Sequence, residues 1–193
     1  MKIQQIKSEK GIEVKGPLLI TPKLFKDQRG SFYESWNKSV FDKTINSKVN
    51  FVQDNHSESI RGVLRGLHYQ TNPCPQGKLV RCITGEIFDV AVDLRKNSKT
   101  FGKWFGVELS GENKKQFWIP EGFAHGFLTI SNIAEVLYKT TDYWNKDCEK
   151  SIRWNDKILD INWPLNKLNK KSPILSKKDE EANSFKESFD NFN

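Results

Sequence analysis

Gly85-Glu86-Ile87-Phe88-Asp89-Val90-Ala91-Val92-Asp93-Leu94 alternates with a period of two. In an extended chain successive side chains point to opposite faces, so Phe88, Val90, Val92 and Leu94 share one face. Ile87, Asp89, Ala91 and Asp93 share the other. One face is wholly apolar; the other mixes two carboxylates with small and branched apolar groups, a composition that suits the wall of a cavity better than bulk water. Working outward, further strand-like runs lie at 79–83, 103–109, 116–119, 126–130 and 135–141. Turn residues punctuate them: Thr84-Gly85, Ser110-Gly111-Glu112-Asn113, Pro120-Glu121-Gly122 and Ser131-Asn132. Strands at this spacing predict an antiparallel, all-β sandwich or barrel. No strand alternates with a long helix between residues 50 and 145, which argues against a doubly wound sheet.

A short helix is expected at 37–45. From about residue 147 the pattern gives way to Trp, Pro, Asn and Lys, and reads as a C-terminal extension packing on the barrel with Trp154 and Trp163 as anchors. The last dozen residues are polar and read as mobile or weakly helical. With no internal repeat and no linker, residues 1–193 read as a single domain.

Hydrophobic residues make up only 36% of the chain, but 13 Phe and 6 Trp bury much area each, so a core can form. The net charge is +7, yet no run of Lys or Arg exceeds two residues and no nucleic-acid-binding motif occurs. The excess cation therefore reads as a lysine-rich surface, and no nucleic-acid partner is expected. Three cysteines, Cys74, Cys82 and Cys148, give an odd count without a Cys-x-x-Cys pair, against a disulfide framework or a thiolate zinc site. Charges at Lys7, Glu9, Lys10, Glu13 and Lys15 interrupt the first twenty residues, and no run is long enough to span a bilayer. These features together predict a soluble, cytoplasmic protein with reduced thiols and no membrane partner.

Only three histidines serve the chain. His68 lies in Arg65-Gly66-Leu67-His68-Tyr69-Gln70, and histidine is the side chain whose ordinary pKa suits proton transfer near neutrality. His125 sits in a Gly-flanked apolar run and reads as structural or supporting; His56 reads as a turn or cap residue. A barrel metal site usually draws on two histidines one residue apart, but position 70 is Gln70, so no metal is expected. There is no nucleophile elbow and no glycine-rich phosphate loop. What remains is acid–base chemistry on an anionic ligand, with Arg65, Lys78 and Arg81 near His68 and Arg29 beside a glycine turn. Each cation alone reads as a surface residue, His68 equally as a hydrogen-bonded structural histidine, and Tyr138 as an ordinary strand aromatic.

Taken together, several stretches closely resemble the dTDP-4-dehydrorhamnose 3,5-epimerase family. They are Asp27-Gln28-Arg29-Gly30-Ser31-Phe32, Phe51-Val52-Gln53-Asp54-Asn55-His56-Ser57, Gly62 to Gln70, Gln76-Gly77-Lys78-Leu79-Val80-Arg81, Phe88 to Arg95, Ile119 to Phe127, Tyr138-Lys139 and Ser151 to Asp156. The resemblance runs from about residue 3 to 180 and keeps the motif order. It implies a cupin-like jelly roll with a few short helices, a homodimer, no cofactor or metal, and a substrate that is a 4-keto-6-deoxyhexose on thymidine diphosphate. It implies His68 as base, Tyr138 as acid, Lys78 near the C4 oxygen, and Asp179 as the carboxylate that orients the histidine, with Asp89 as the alternative partner. Arg29, Glu34, Gln53, Asn55, Arg65, His125 and Lys171 are implied substrate contacts, with Phe25, Phe32 and Trp144 as further candidates around the nucleotide. Relatives acting at a single carbon, a ketoisomerase, and a non-catalytic sugar-nucleotide-binding sandwich are the alternatives.

Overall fold

The computed structural model describes residues 2–7, 11–168 and 172–190 of the chain. In chain order the strands are β1 (Lys2–Lys7), β2 (Glu13–Thr21), β3 (Phe25–Asp27), β4 (Gly30–Phe32), β5 (Gln53–Ile60), β6 (Leu64–Gln70), β7 (Lys78–Thr84), β8 (Glu86–Asp93), β9 (Trp104–Ser110), β10 (Gln116–Ile119), β11 (Phe123–Thr129), β12 (Ile133–Thr140) and β13 (Glu149–Ser151). The helices are α1 (Lys38–Ile45), α2 (Lys177–Glu180) and α3 (Phe185–Asp190), with a 3-10 turn at Leu165–Leu168. No helix of the described residues is long and apolar enough to cross a membrane.

Two sheets carry the fold. One has six strands in the order β1-β2-β10-β7-β12-β5; the other has five in the order β13-β6-β11-β8-β9; β3 and β4 form a separate hairpin. Neighbours within every sheet are antiparallel. From β5 to β8 the chain crosses between sheets at each connection, and it does so again from β9 to β13. This is the antiparallel sandwich that the strand spacing predicts and the cupin-like jelly roll that the resemblance implies. The crossing has a consequence for the site. Residues a few positions apart in sequence, such as those of β6 and β7, end on facing sheets.

The strand read first, β8, is buried on both faces. Ile87 and Ala91 enter the cluster between the sheets with Val80, Phe105, Phe117, Phe123 and Val136. Val90 and Val92 enter a second cluster with Leu64, Leu67, Leu128, Ile152, Leu159, Trp163, Leu168 and Phe185. The outer face of the five-stranded sheet is thus covered by the C-terminal segment. Trp163 is an anchor of that segment, and its Nε1 donates to the Trp154 carbonyl at 2.9 Å. The expected helix forms as α1, with Asn37 as its cap accepting from the Val40 amide at 3.2 Å. The polar C-terminal stretch forms α3 up to Asp190.

The β5 segment differs from the sequence expectation. His56, read as a turn or cap residue, lies within β5, opposite Leu137 of β12, with Nε2 3.1 Å from Glu135 Oε2 on the exposed side. The polar run Gln53–Ile60 is an edge strand although neither of its faces is apolar. Gln53, Asn55, Ser57 and Ser59 point inward and the residues between them outward. An inward row of amides and hydroxyls has no apolar core to reach, so it lines a cavity, and hydrophobic periodicity cannot reveal it.

Candidate active site

A cavity of about 520 Å³ opens between the two sheets, with His68, Lys78, His125, Tyr138 and Asp179 in its wall. The facing sheets divide the chemistry. His68 on β6 and His125 on β11 belong to the five-stranded sheet; Lys78 on β7 and Tyr138 on β12 belong to the six-stranded sheet.

His68 and His125 are cross-strand partners in the β6–β11 pair, whose register shifts between His125 and Phe127. At this point the two backbones come very close. A Cβ placed on Gly66 would lie 2.5 Å from the Gly126 Cα and 2.7 Å from the His125 carbonyl oxygen. The Gly66 φ of +121° also excludes an L side chain. Glycine on both strands therefore sets how the two imidazoles stand.

Each imidazole has its own carboxylate. His68 Nε2 lies 2.5 Å from Asp179 Oδ1, and the other Asp179 oxygen accepts from Ser176 Oγ at 2.8 Å. Ser176 also caps α2, which carries Asp179. Burial pushes the Asp179 carboxyl up, but the hydrogen bonds and charge of His68, then Ser176 and Lys178, outweigh it and hold it below the usual carboxylate range. With Asp179 ionised, the proton on Nε2 donates to it, and the other ring nitrogen keeps its lone pair. Asp89, the alternative partner, is taken elsewhere. Both its oxygens lie 3.0 Å from His125 Nε2, and it is wholly buried. Burial raises the Asp89 carboxyl against the pull of His125 and Lys78.

Lys78 is buried, with 7% of its surface exposed, and makes no ion pair closer than 4 Å among the described residues. Burial lowers its pKa to about 8, with Glu149 and Asp89 opposing the shift and Lys178 reinforcing it. Such an ammonium is poorly solvated and well suited to meet a developing oxyanion. The Tyr138 ring centroid lies 6.5 Å from that of His125, and burial raises the phenol pKa, so it holds its proton until a partner draws it off.

Of the implied substrate contacts, Gln53, Asn55, Arg65 and His125 line the cavity. Arg65 is held by Ser59 Oγ, which accepts from Nε at 3.0 Å. Arg29 and Glu34 lie outside this cavity. Arg29 is exposed on the β3–β4 hairpin and paired with Asp27 at 2.6 Å, while Glu34 accepts from Asn37 at 3.2 Å beside α1. Phe25 and Phe32 sit on the same hairpin, 52% and 71% exposed. Trp144 does line the cavity. Lys171 lies outside the described residues.

The cavity wall also holds Ser57, Gln76, Glu149 and Lys178, which sequence reasoning passed over. Ser57 continues the inward row of Gln53 and Asn55, a row visible only once β5 is known to be a strand. Glu149 and Lys178 could not be found, because nothing in a lysine-rich tail marks one charge from another. They meet at 2.7 Å and tie β13 to α2 beside Asp179. Gln70, the residue that argued against a metal, spends its side chain on the backbone. Its Nε2 donates to the Cys74 and Tyr143 carbonyls at 2.6 and 3.1 Å, and its Oε1 accepts from the Asn145 amide at 2.8 Å.

The family model described as dTDP-4-dehydrorhamnose 3,5-epimerase matches residues 11–187. The chain is 57% identical over 167 residues to the dTDP-4-dehydrorhamnose 3,5-epimerase of Shigella flexneri, covering 86% of this chain and 90% of that one. Among solved structures it is similar to the dTDP-6-deoxy-D-glucose-3,5-epimerase of Legionella pneumophila in complex with dTDP-4-keto-L-rhamnose. There the TM-score is 0.85 and the identity 47%, over 95% of this chain and 93% of that one. The Mycobacterium tuberculosis epimerase superposes with a TM-score of 0.92 at 35% identity, over 99% of this chain and 92% of that one. A match of this length, with the motifs in order and a cavity that gathers them, means that the chain belongs to the dTDP-4-dehydrorhamnose 3,5-epimerase family.

Proposed function

We propose that this isomerase inverts C3 and C5 of dTDP-4-dehydro-6-deoxy-D-glucose to give dTDP-4-dehydro-L-rhamnose, a step in dTDP-L-rhamnose formation. The observation that carries the residue assignment is the placement of His68 and Tyr138 on facing sheets around one cavity, with Lys78 buried in its wall. Both carbons flank the C4 ketone, so each C–H is weakly acidic and its loss leaves an enolate. His68, held by ionised Asp179, takes the proton. Lys78 stabilises the negative charge on the C4 oxygen. Tyr138 returns a proton from the other face, which inverts the carbon, and the His68 proton and the Tyr138 phenolate re-equilibrate with solvent before the second round. A base and an acid on opposing walls are what two-sided transfer requires.

Gln53, Asn55, Arg65 and the supporting His125 contact the substrate in this reading, with Lys178 and Trp144 placed to join them. The chain is read as one domain, cytoplasmic, and working as a homodimer. The exposed Phe25 and Phe32 beside Arg29, outside the chain's own cavity, support a second copy at that hairpin. Light scattering in solution tests the dimer.

Proton NMR of the substrate with the protein in deuterated buffer tests the reaction. Deuterium enters both C3 and C5, and His68→Asn abolishes both. Uptake at one carbon alone makes the protein a single-carbon epimerase, and uptake at neither defeats the reading.

A further inference from the structure

Arg65 is the one arginine in the wall of the cavity. It stands on β6 opposite Phe127 of β11, which lines the same wall, so the two side chains share one face of the sheet. Arg65 is exposed, and an unheld arginine there would spread over many rotamers. The facing sheet holds it instead. Arg65 Nε donates to Ser59 Oγ at 3.0 Å, and Nη2 donates to the Glu58 carbonyl at 3.2 Å. Both acceptors belong to β5, at the edge of the six-stranded sheet.

The acceptors are themselves fixed. Ser59 is 4% exposed and points inward, paired in register with the buried Ala134 of β12. The turn from β5 into β6 is pinned on both sides. The Arg61 amide donates to the Asn132 carbonyl at 2.9 Å, the Gly62 amide to the Thr129 carbonyl at 3.0 Å, and the Val63 amide to the Ile60 carbonyl at 3.1 Å. A guanidinium has two edges that can each offer a pair of parallel N–H groups. Nε and Nη2 make up the side edge, and β5 takes both. Among the described residues nothing takes Nη1. Nη1 with the outer hydrogen of Nη2 is the end edge, and its spacing matches two oxygens of a phosphate.

We propose that Ser59 is a positioning residue. With the Glu58 carbonyl it holds the side edge of Arg65 and turns the end edge into the cavity, where that edge takes two oxygens of the substrate diphosphate. The proposal rests on the reading of Arg65 as a substrate contact. Ser59 itself touches no substrate; it acts through the arginine. An arginine set before the ligand arrives loses less side-chain freedom on binding, so the hold shows as affinity. The hydroxyl is the part that matters, because an alanine at position 59 leaves Nε without its acceptor while the Glu58 carbonyl stays.

The experiment uses the full-length protein and dTDP as the probe. Ser59→Ala, Ser59→Thr, Arg65→Gln and the double variant Ser59→Ala with Arg65→Gln are compared by titration calorimetry, beside denaturant curves. Ser59→Ala should weaken dTDP binding by roughly five- to tenfold at an unchanged denaturation midpoint, and Ser59→Thr, which keeps the hydroxyl, should restore it. In turnover the loss should fall on KM rather than kcat. The double variant should bind no more weakly than Arg65→Gln alone. A second readout follows the arginine directly. In ¹⁵N NMR of the ligand-free protein, the Nε–H signal that disappears in Arg65→Gln should exchange slowly with solvent, and Ser59→Ala should make it exchange severalfold faster. An unchanged signal and an unchanged dTDP affinity in Ser59→Ala overturn the positioning role. So does a Ser59→Ala loss that persists undiminished in the Arg65→Gln background, which would mean that Ser59 acts elsewhere. Arg65→Gln binding dTDP as tightly as wild type overturns the ligand contact, while the Nε–H signal still decides whether Ser59 holds the arginine. Binding of dTDP involves no proton transfer, so failure here is distinct from failure of the epimerase reading, which deuterium uptake tests.

Discussion

The carboxylate of Asp179 meets the imidazole of His68 at 2.5 Å although 111 residues separate them in the chain. The C-terminal segment delivers it. The segment is laced to β6 by paired backbone hydrogen bonds, Leu67 with Ile152 at 3.1 and 2.9 Å, and by the Ile174 carbonyl accepting from the Leu64 amide at 3.0 Å. A stretch that reads as a polar tail is thus the support of the proposed base.

The first prediction concerns that pair. Asp179→Asn keeps the size of the side chain but removes its charge and can favour the wrong imidazole tautomer. Turnover should fall by about 10²–10⁴-fold with little loss of stability. The double variant with His68→Asn should be no slower than His68→Asn alone, because the two act as a unit. Steady-state rates of the three variants beside denaturant curves check this, and additive losses would separate the two residues.

Tyr138→Phe should divide the reaction. Proton removal by His68 needs no phenol, so solvent deuterium still enters the substrate, returned to the face it left. Net inversion should fall by roughly 10²-fold or more. Time-resolved NMR in deuterated buffer compares the two rates. Equal loss of exchange and inversion would remove Tyr138 from the acid role.

Lys78 predicts a pH effect on both activity and stability. Its folded pKa is about 8 against 10.5 for the ordinary side chain. The charged form stabilises the enolate, so kcat/KM should decline above pH about 8. For stability the sign is opposite. Between about 8 and 10.5 the unfolded chain holds a proton that the folded one has lost, so this group makes the protein more stable as pH rises through that window. Below it the buried charge costs folding roughly 3 kcal/mol. Lys78→Met should therefore raise the denaturation midpoint at pH about 7 while reducing turnover by roughly 10²-fold or more. A midpoint that drops instead would mean that Lys78 gains more from Glu149 and Asp89 than burial takes.

Gly66→Ala tests the close approach of β6 and β11. The added methyl meets the Gly126 Cα and the His125 carbonyl, in a backbone conformation closed to alanine. The strands must part, at a cost of several kcal/mol. Calorimetry should show a large fall in Tm, and the folded fraction should have low turnover because both His68 and His125 move.

Ile152→Ala tests the seating of the C-terminal segment. Ile152 is fully buried in the outer cluster of the five-stranded sheet and its backbone pairs with Leu67. Truncation should cost about 2–5 kcal/mol. Because the same segment carries Asp179, turnover should fall too, more than for an equally destabilising change in the inter-sheet cluster such as Val136→Ala.

The sequence by itself determined the class of fold and pointed to most of the groups proposed to react. Alternation in β8 marked a strand with one apolar and one mixed face, and glycine-bearing turns marked the antiparallel order, because those are local properties of a chain with two side-chain directions; that the mixed face is buried rather than lining the cavity came from the structure. His68 was legible as the titratable residue of its motif, and Lys78 and Tyr138 only through the family resemblance of the stretches that carry them. The resemblance named Asp179 as the partner of His68 with Asp89 as the alternative. The tertiary structure decided between them, because the register of β8 with β11 gives Asp89 to His125. It alone showed β5 as a strand, because its inward row is polar and has no hydrophobic period. It alone placed Glu149 and Lys178 at the cavity and Arg29 outside it. Contacts between segments a hundred residues apart depend on how two sheets face each other, and no local pattern of side chains encodes that distance.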